Sequence, residues 1–171
     1  AYVAEKLGLP SCGPYESIKI LQNKSLFRKF LTDNNFNVPK ARSYDTIEDA
    51  IEDIDSFSFP IIIKPIDSAG SKGVTKATKP EELQNACSFA LSFSQSKKFI
   101  IEEFIEVEGF PSDSEGFSLN GELVCCSFSD QRFDISAPNP FTPSAFSWPS
   151  TLPDHCQNEL ESEIQRLLSL L

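Results

Sequence analysis

The chain has 171 residues, with 25 acidic against 15 basic side chains and a net charge of −10. That acidic balance argues against a phosphate-backbone partner, so no nucleic acid is expected, and no apolar run reaches the roughly 18 residues of a membrane span. Its 40% hydrophobic content, including 15 Phe, is enough for a real core in one large or two small domains.

Ala1-Tyr2-Val3-Ala4-Glu5-Lys6 lacks both an initiator Met and the basic-then-apolar order of a signal peptide, so the chain is expected to be a piece of something longer. Residues 1–8 read as a helix remnant, and Pro10 to Pro14 with Gly13 as a loop. Asn23 can cap a helix through about Asp33, with Leu26, Phe27, Phe30 and Leu31 as its apolar stripe. Ala41 to Tyr44 reads as a short strand. Thr46-Ile47-Glu48-Asp49 opens a second helix with Ala50, Ile51 and Ile54 facing inward. Strands follow at 60–66 and 74–77. Thr78-Lys79-Pro80-Glu81 forms a capping box with proline in the first turn, ahead of a helix carrying Leu83, Ala86, Cys87, Ala90 and Leu91. Phe99 to Ile105 is another strand. Segments 113–119 and 122–129 form a hairpin, because Asn120-Gly121 suits a type I′ turn. Residues 134–153 hold five of the twelve prolines and read as mostly irregular. An amphipathic helix closes the chain from about Cys156 to Leu171, with Leu160, Ile164, Leu167, Leu168 and Leu171 at helical spacing. Hairpins without strict βαβ repeats favour an α+β fold with antiparallel sheets and packed helices.

The five cysteines are odd in number, and the adjacent pair Cys125-Cys126 would point to opposite faces of a strand, a poor metal pair. Reduced thiols in a cytoplasmic protein are the expectation. His155, the one histidine, lies in a Pro/Asp-rich turn and reads as an exposed residue at a helix start.

The most informative stretch is Pro60-Ile61-Ile62-Ile63-Lys64-Pro65 with the following loop Ser68-Ala69-Gly70-Ser71-Lys72-Gly73. A lysine inside an Ile-rich strand is costly unless an anion meets its ammonium, and a loop of small residues lets backbone N–H groups approach that anion. A polyphosphate fits such a site. An edge-strand lysine reaching water before an ordinary Ser/Gly turn is the other reading, and these residues alone leave both standing. The loop matches neither G-x-x-x-x-G-K-[ST] nor G-x-G-x-x-G, so phosphate binding here would use a strand–loop–strand flap.

Four blocks in order resemble the ATP-grasp superfamily, closest to members related to carbamoyl phosphate synthase and phosphoribosylamine–glycine ligase. They are Asn23-Lys24-Ser25-Leu26-Phe27-Arg28, Pro60 to Pro65 with its loop, Ile101-Glu102-Glu103-Phe104-Ile105, and Glu108-Gly109. The resemblance implies an ATP-grasp fold fragment, the ATP-lid subdomain plus part of the central subdomain: residues 1–22 end a preceding domain, 23–108 form the ATP-lid subdomain with its hinge, and 109–171 form the truncated start of the C-terminal ATP-grasp subdomain. It implies that Lys24 and Lys64 reach the ATP phosphates and that Ser68, Gly70, Ser71, Lys72 and Gly73 form a lid over them. It also places the backbone of Glu103 and Ile105 on the adenine edge and Glu102 near the exocyclic amine, with Phe104 beside them as an apolar face. The family's ribose-holding glutamate falls on Pro111, leaving Glu108 as the substitute. Glu115 matches a recurrent acidic position of the family, with a structural role as its equal alternative.

The activity so implied is ATP-dependent carboxylate–amine ligation through an acyl-phosphate. Small-molecule carboxylate and amine substrates go with it, and ATP and Mg2+ as cofactors. The metal ligands are expected beyond Leu171, so no metal or catalytic residue is assigned within the chain, and no ADP release by the chain alone is expected. A non-catalytic nucleotide-binding or regulatory module on the same scaffold is the alternative. A purely structural interaction domain ranks third because it leaves Lys64 unexplained. Oligomeric state is open, a homodimer being one outcome of apolar faces on the terminal helices.

Overall fold

The computed structural model describes residues 1–171, which divide into two units, Ala1–Ile105 and Glu106–Leu171. The first unit runs α1 (Tyr2–Leu7), α2 (Tyr15–Gln22), α3 (Lys24–Asp33), β1 (Ala41–Tyr44), α4 (Ile47–Asp53), β2 (Ile61–Pro65), β3 (Thr75–Ala77), α5 (Leu83–Phe93) and β4 (Phe99–Glu103), with single 3-10 turns before β2 and α5. Its four strands form one antiparallel sheet in the order β1-β4-β2-β3.

Two of its helices start where the sequence supplies a cap. The Asn23 side chain accepts from the amides of Ser25 and Leu26, and Thr46 Oγ1 accepts from the Asp49 amide, satisfying first-turn donors that the helix leaves unpaired. The Thr78 box is shifted by one residue. Glu82, not Glu81, reaches back to the Thr78 amide at 2.8 Å, because residues 80–82 form a 3-10 turn before α5 begins at Leu83.

Strand alternation gives the sheet two different faces. Ile61, Ile63, Tyr44, Phe99, Ile101 and Ala77 lie on one, packed with Ala50 and Ile54 and with Leu83, Ala86, Cys87 and Ala90 of α5 as a continuous buried core. Ile62, Lys64, Ile100 and Glu102 share the other, because the register sets Ile62 opposite Glu102 and Lys64 opposite Ile100. Ser25, Arg28 and Thr32 of α3 line a groove with Ser43 and Ile100 on that second face.

The second unit is a three-stranded antiparallel sheet, β5 (Ser112–Leu119), β6 (Glu122–Phe133) and β7 (Pro143–Ser147), with α6 (Asp154–Leu170). Asn120 and Gly121 both have positive φ, 53° and 80°, as a type I′ turn requires. Gln165 of α6 ties the helix to this hairpin, accepting from the Leu123 amide at 2.7 Å and donating to the Gly121 carbonyl at 2.9 Å. Buried Asp130 accepts from Ser150 Oγ, the Thr151 amide and Thr151 Oγ1 at 2.6, 3.0 and 2.8 Å.

The antiparallel α+β architecture expected from the sequence is the one found. Several details differ. α2 was not expected; it starts after Pro14 without a side-chain cap and is marked only by the short spacing of Tyr15, Ile18 and Leu21. Ile51 does not face inward but is 45% exposed, because α4 turns Ala50 and then Ile54 to the core. Residues 143–147 form β7 where an irregular segment was expected, Pro143 being tolerated because β7 pairs on one side only. β3 begins at Thr75 and β4 ends at Glu103, each one or two residues short of the expected strand.

Candidate functional site

The second face of the four-stranded sheet holds a concentrated charge system. Glu102 is 2% exposed. Arg28 holds it with two bonds, Nε to Oε1 at 2.8 Å and Nη2 to Oε2 at 3.2 Å, and Lys64 Nζ donates to Oε2 at 2.6 Å. Burial disfavours the charged carboxylate. The Arg28 hydrogen bonds and the Lys64 charge outweigh it and hold the Glu102 carboxyl below its ordinary value. β2 and β4 are both interior strands, so the edge-lysine reading of Lys64 does not apply. The anion that meets the Lys64 ammonium within the protein is Glu102, which removes the argument that a purely structural role leaves this lysine unexplained.

Lys24 joins the system from the first turn of α3. Its backbone amide donates to the Ile66 carbonyl at 3.0 Å, and its Nζ to the Ser68 carbonyl at 2.6 Å. The helix start is thereby pinned to the segment that follows β2. Burial pushes the Lys24 amine down from its ordinary pKa, the neighbouring Lys64 charge adds to that, and Asp67 and Glu102 oppose it. Lys24 and Lys64 are thus electrostatic neighbours at the start of the loop, and Lys64 shares its carboxylate partner with Arg28.

The loop itself is built from left-handed residues. Gly70, Ser71 and Gly73 have φ of 67°, 55° and 71°. At Gly73 a Cβ would sit 3.0 Å from Phe93 Cβ and 3.1 Å from Pro65 Cγ, whereas at Gly70 it would meet open space. The loop is therefore anchored tightly at its far end and unobstructed at its tip. Ser68 Oγ donates to the Phe93 carbonyl, and Lys72 is exposed.

Past β4 the chain offers an apolar ledge. The Glu103 and Phe104 amides donate to the carbonyls of Lys40 and Pro60, both at 3.0 Å. Lys76 Nζ lies 3.8 Å from the Phe104 ring centroid, a cation–π contact, and Ile105 is 64% exposed. Glu103 turns away, accepting from the Ser58 amide at 3.3 Å. The structure thus brings Lys24, Lys64, Ser68 and Glu102 into one cluster, with Phe104 beside Lys76 at the end of β4. Glu108 and Glu115 are exposed in the second unit.

Arg28 is the residue that the sequence reading passed over. Its signal was present: four residues after Lys24, it lies on the same face of α3 one turn further on.

An ATP-grasp domain family model matches residues 57–171. The chain is 32% identical over 92 residues to the carbamoyl phosphate synthase large chain of Thermoanaerobacter sp. (strain X514), covering 54% of this chain and 9% of that protein. It is 39% identical over 74 residues to the phosphoribosylamine–glycine ligase of Methanosphaera stadtmanae, covering 41% of this chain and 16% of that one. Among solved structures, VanG D-Ala:D-Ser ligase from Enterococcus faecalis superposes with a TM-score of 0.79 at 21% identity, over 96% of this chain and 50% of that chain. L-amino acid ligase from Bacillus licheniformis gives a TM-score of 0.73, also at 21% identity, over 99% of this chain and 38% of its own. The chain spans half or less of each of these proteins. The family match, the antiparallel fold and the order of the motif residues agree: the chain belongs to the ATP-grasp domain family.

Proposed function

We propose that this chain is the ATP-binding part of an ATP-dependent carboxylate–amine ligase that works through an acyl-phosphate. The observation that carries the reading is the placement of Lys24 Nζ against the Ser68 carbonyl at the start of the Ser/Gly loop, with Lys64 on the strand that leads into it. The Lys24 amine is depressed by burial and by the neighbouring lysine charge, and two like charges held together while partly dehydrated are relieved by an anion. ATP would supply the γ-phosphate that activates a carboxylate for attack by an amine.

The chain's own residues have distinct tasks in this scheme. Lys24 and Lys64 neutralise phosphate charge. Residues 68, 70, 71, 72 and 73 approach the phosphates through the backbone and limit water access. Glu102, the Glu103 and Ile105 backbone and the Phe104 ring take the adenine end. Substrates are small carboxylates and amines, the protein is cytoplasmic, and self-association into a homodimer is left to measurement. No three His, Cys, Asp or Glu side chains are grouped to hold a metal ion. A nucleotide-binding module without chemistry is the alternative, and the pairing of Lys64 with Glu102 favours a further reading, a purely structural interaction domain.

Calorimetric titration with ATP tests the proposal. Wild type is expected to bind, and Lys64→Ala to bind at least tenfold more weakly, about 1.4 kcal/mol. Equal binding by the two proteins would contradict it. ADP release from the full-length parent, supplied with candidate carboxylates and amines, separates the ligase from the module.

A further inference from the structure

Lys64 presents a problem for any ligand that needs it. A lysine engaged with a buried carboxylate is available only if that carboxylate can tolerate losing it, because an unpaired buried charge is strongly unfavourable. With Lys64 as its sole partner, Glu102 would hold the ammonium and compete with an incoming phosphate. The structure avoids that competition. Arg28 already occupies both oxygens of Glu102 in a fork, Oε1 through Nε and Oε2 through Nη2, while Lys64 takes only Oε2. Guanidinium geometry suits this two-point hold, which one ammonium cannot reproduce. One buried carboxylate thus faces two cations from different elements, and it keeps a full ion pair if either leaves. Arg28 is itself fixed from behind by the helix capped at Asn23, the same helix that presents Lys24.

We propose that Arg28 is a positioning residue of the nucleotide site. It keeps Glu102 ionised and paired so that Lys64 can exchange its carboxylate for a phosphate oxygen. Arg28 itself touches no ligand in this scheme; it acts through Glu102. The inference rests on the nucleotide-binding reading, and its outcome is distinguishable from the failure of that reading.

The test uses ATP and inorganic tripolyphosphate as separate probes, because the second reports on the lysines without any adenine contact. Wild type is titrated first; if it binds neither, the nucleotide reading itself fails. Given wild-type binding, Arg28→Ala is expected to weaken both probes about tenfold, since Lys64 is then the sole partner of Glu102. Arg28→Gln serves as a second variant should Arg28→Ala fail to fold, and thermal melts of all variants check that each is intact. The discriminating protein is the double variant Arg28→Ala/Glu102→Gln. Removing the carboxylate charge frees Lys64, so tripolyphosphate affinity is expected to return to within about threefold of wild type. A merely structural Arg28 would instead give a double variant as weak as the single one, or weaker. Unchanged affinity in a folded Arg28→Ala, or no recovery in the double variant, overturns the proposal.

Discussion

The two faces of the four-stranded sheet are built from the same strands but by opposite rules. On one, Ile61, Ile63, Phe99 and Ile101 meet α5 and α4 with no charged side chain in the core cluster. On the other, a nearly sealed glutamate is shared between a lysine on the neighbouring strand and an arginine on a helix, with a second lysine close by. Burial of apolar area stabilises wherever it occurs and needs no partner. A buried ion cluster contributes little net stability beside an apolar replacement of the same shape, yet is costly to leave half-made. The first face therefore holds the unit together, and the second is where the chain keeps a polar arrangement that stability alone does not demand.

Substitutions on each face sharpen the contrast. The largest effect is expected from Phe99→Ala, which empties a fully buried site and should cost about 3–5 kcal/mol by urea denaturation. Glu102→Ala comes next. It leaves Arg28 and Lys64 facing one another without the carboxylate, at about 3 kcal/mol, less if their partial exposure lets water in.

Acid titration separates the faces as well. The folded Glu102 carboxyl lies below its unfolded value. Its stabilisation is therefore complete above the unfolded glutamate pKa of about 4.3 and is lost as pH falls through the lower folded value. Asp53, Asp67, Asp130 and Asp134 are also held low and shape the same limb. The difference between wild type and Glu102→Gln, followed by denaturation over that range, isolates the Glu102 share. The wild-type curve should be the steeper; parallel curves would show that Glu102 is not depressed.

Smaller effects are expected in the loop. Gly73→Ala combines a left-handed φ with a close approach to Phe93 and Pro65, and should cost about 1–2 kcal/mol in thermal melts. Gly70→Ala meets only the φ penalty, about 1 kcal/mol. A reversed order would mean that the tip, not the far end, is the anchored part.

Most of the framework could be read from local chemistry. Asn23 and Thr46 announce their helices because a side-chain oxygen satisfies first-turn amides, and Asn120-Gly121 announces its hairpin because both residues accept positive φ. α2 was missed because its start at Pro14 has no capping side chain and its eight residues make only about two turns, so the helical spacing of Tyr15, Ile18 and Leu21 is a short signal. Five prolines masked β7, whose edge position needs fewer backbone donors. For the candidate site, Lys64 was legible as an anomaly in its own strand. Its partner was not, because the pairing of Lys64 with Glu102 depends on the β2–β4 register across 38 residues of sequence. Arg28 needed the same register and a helix placed over it.

The claim that the charged face is a phosphate site meets its most direct test in NMR of protein labelled with 13C at the lysine ε-carbons, titrated with ATP. The Lys24 and Lys64 signals are expected to move together along one binding curve, with exposed Lys29 and Lys97 unmoved. Movement of exposed lysines alone, with Lys24 and Lys64 stationary, would contradict it.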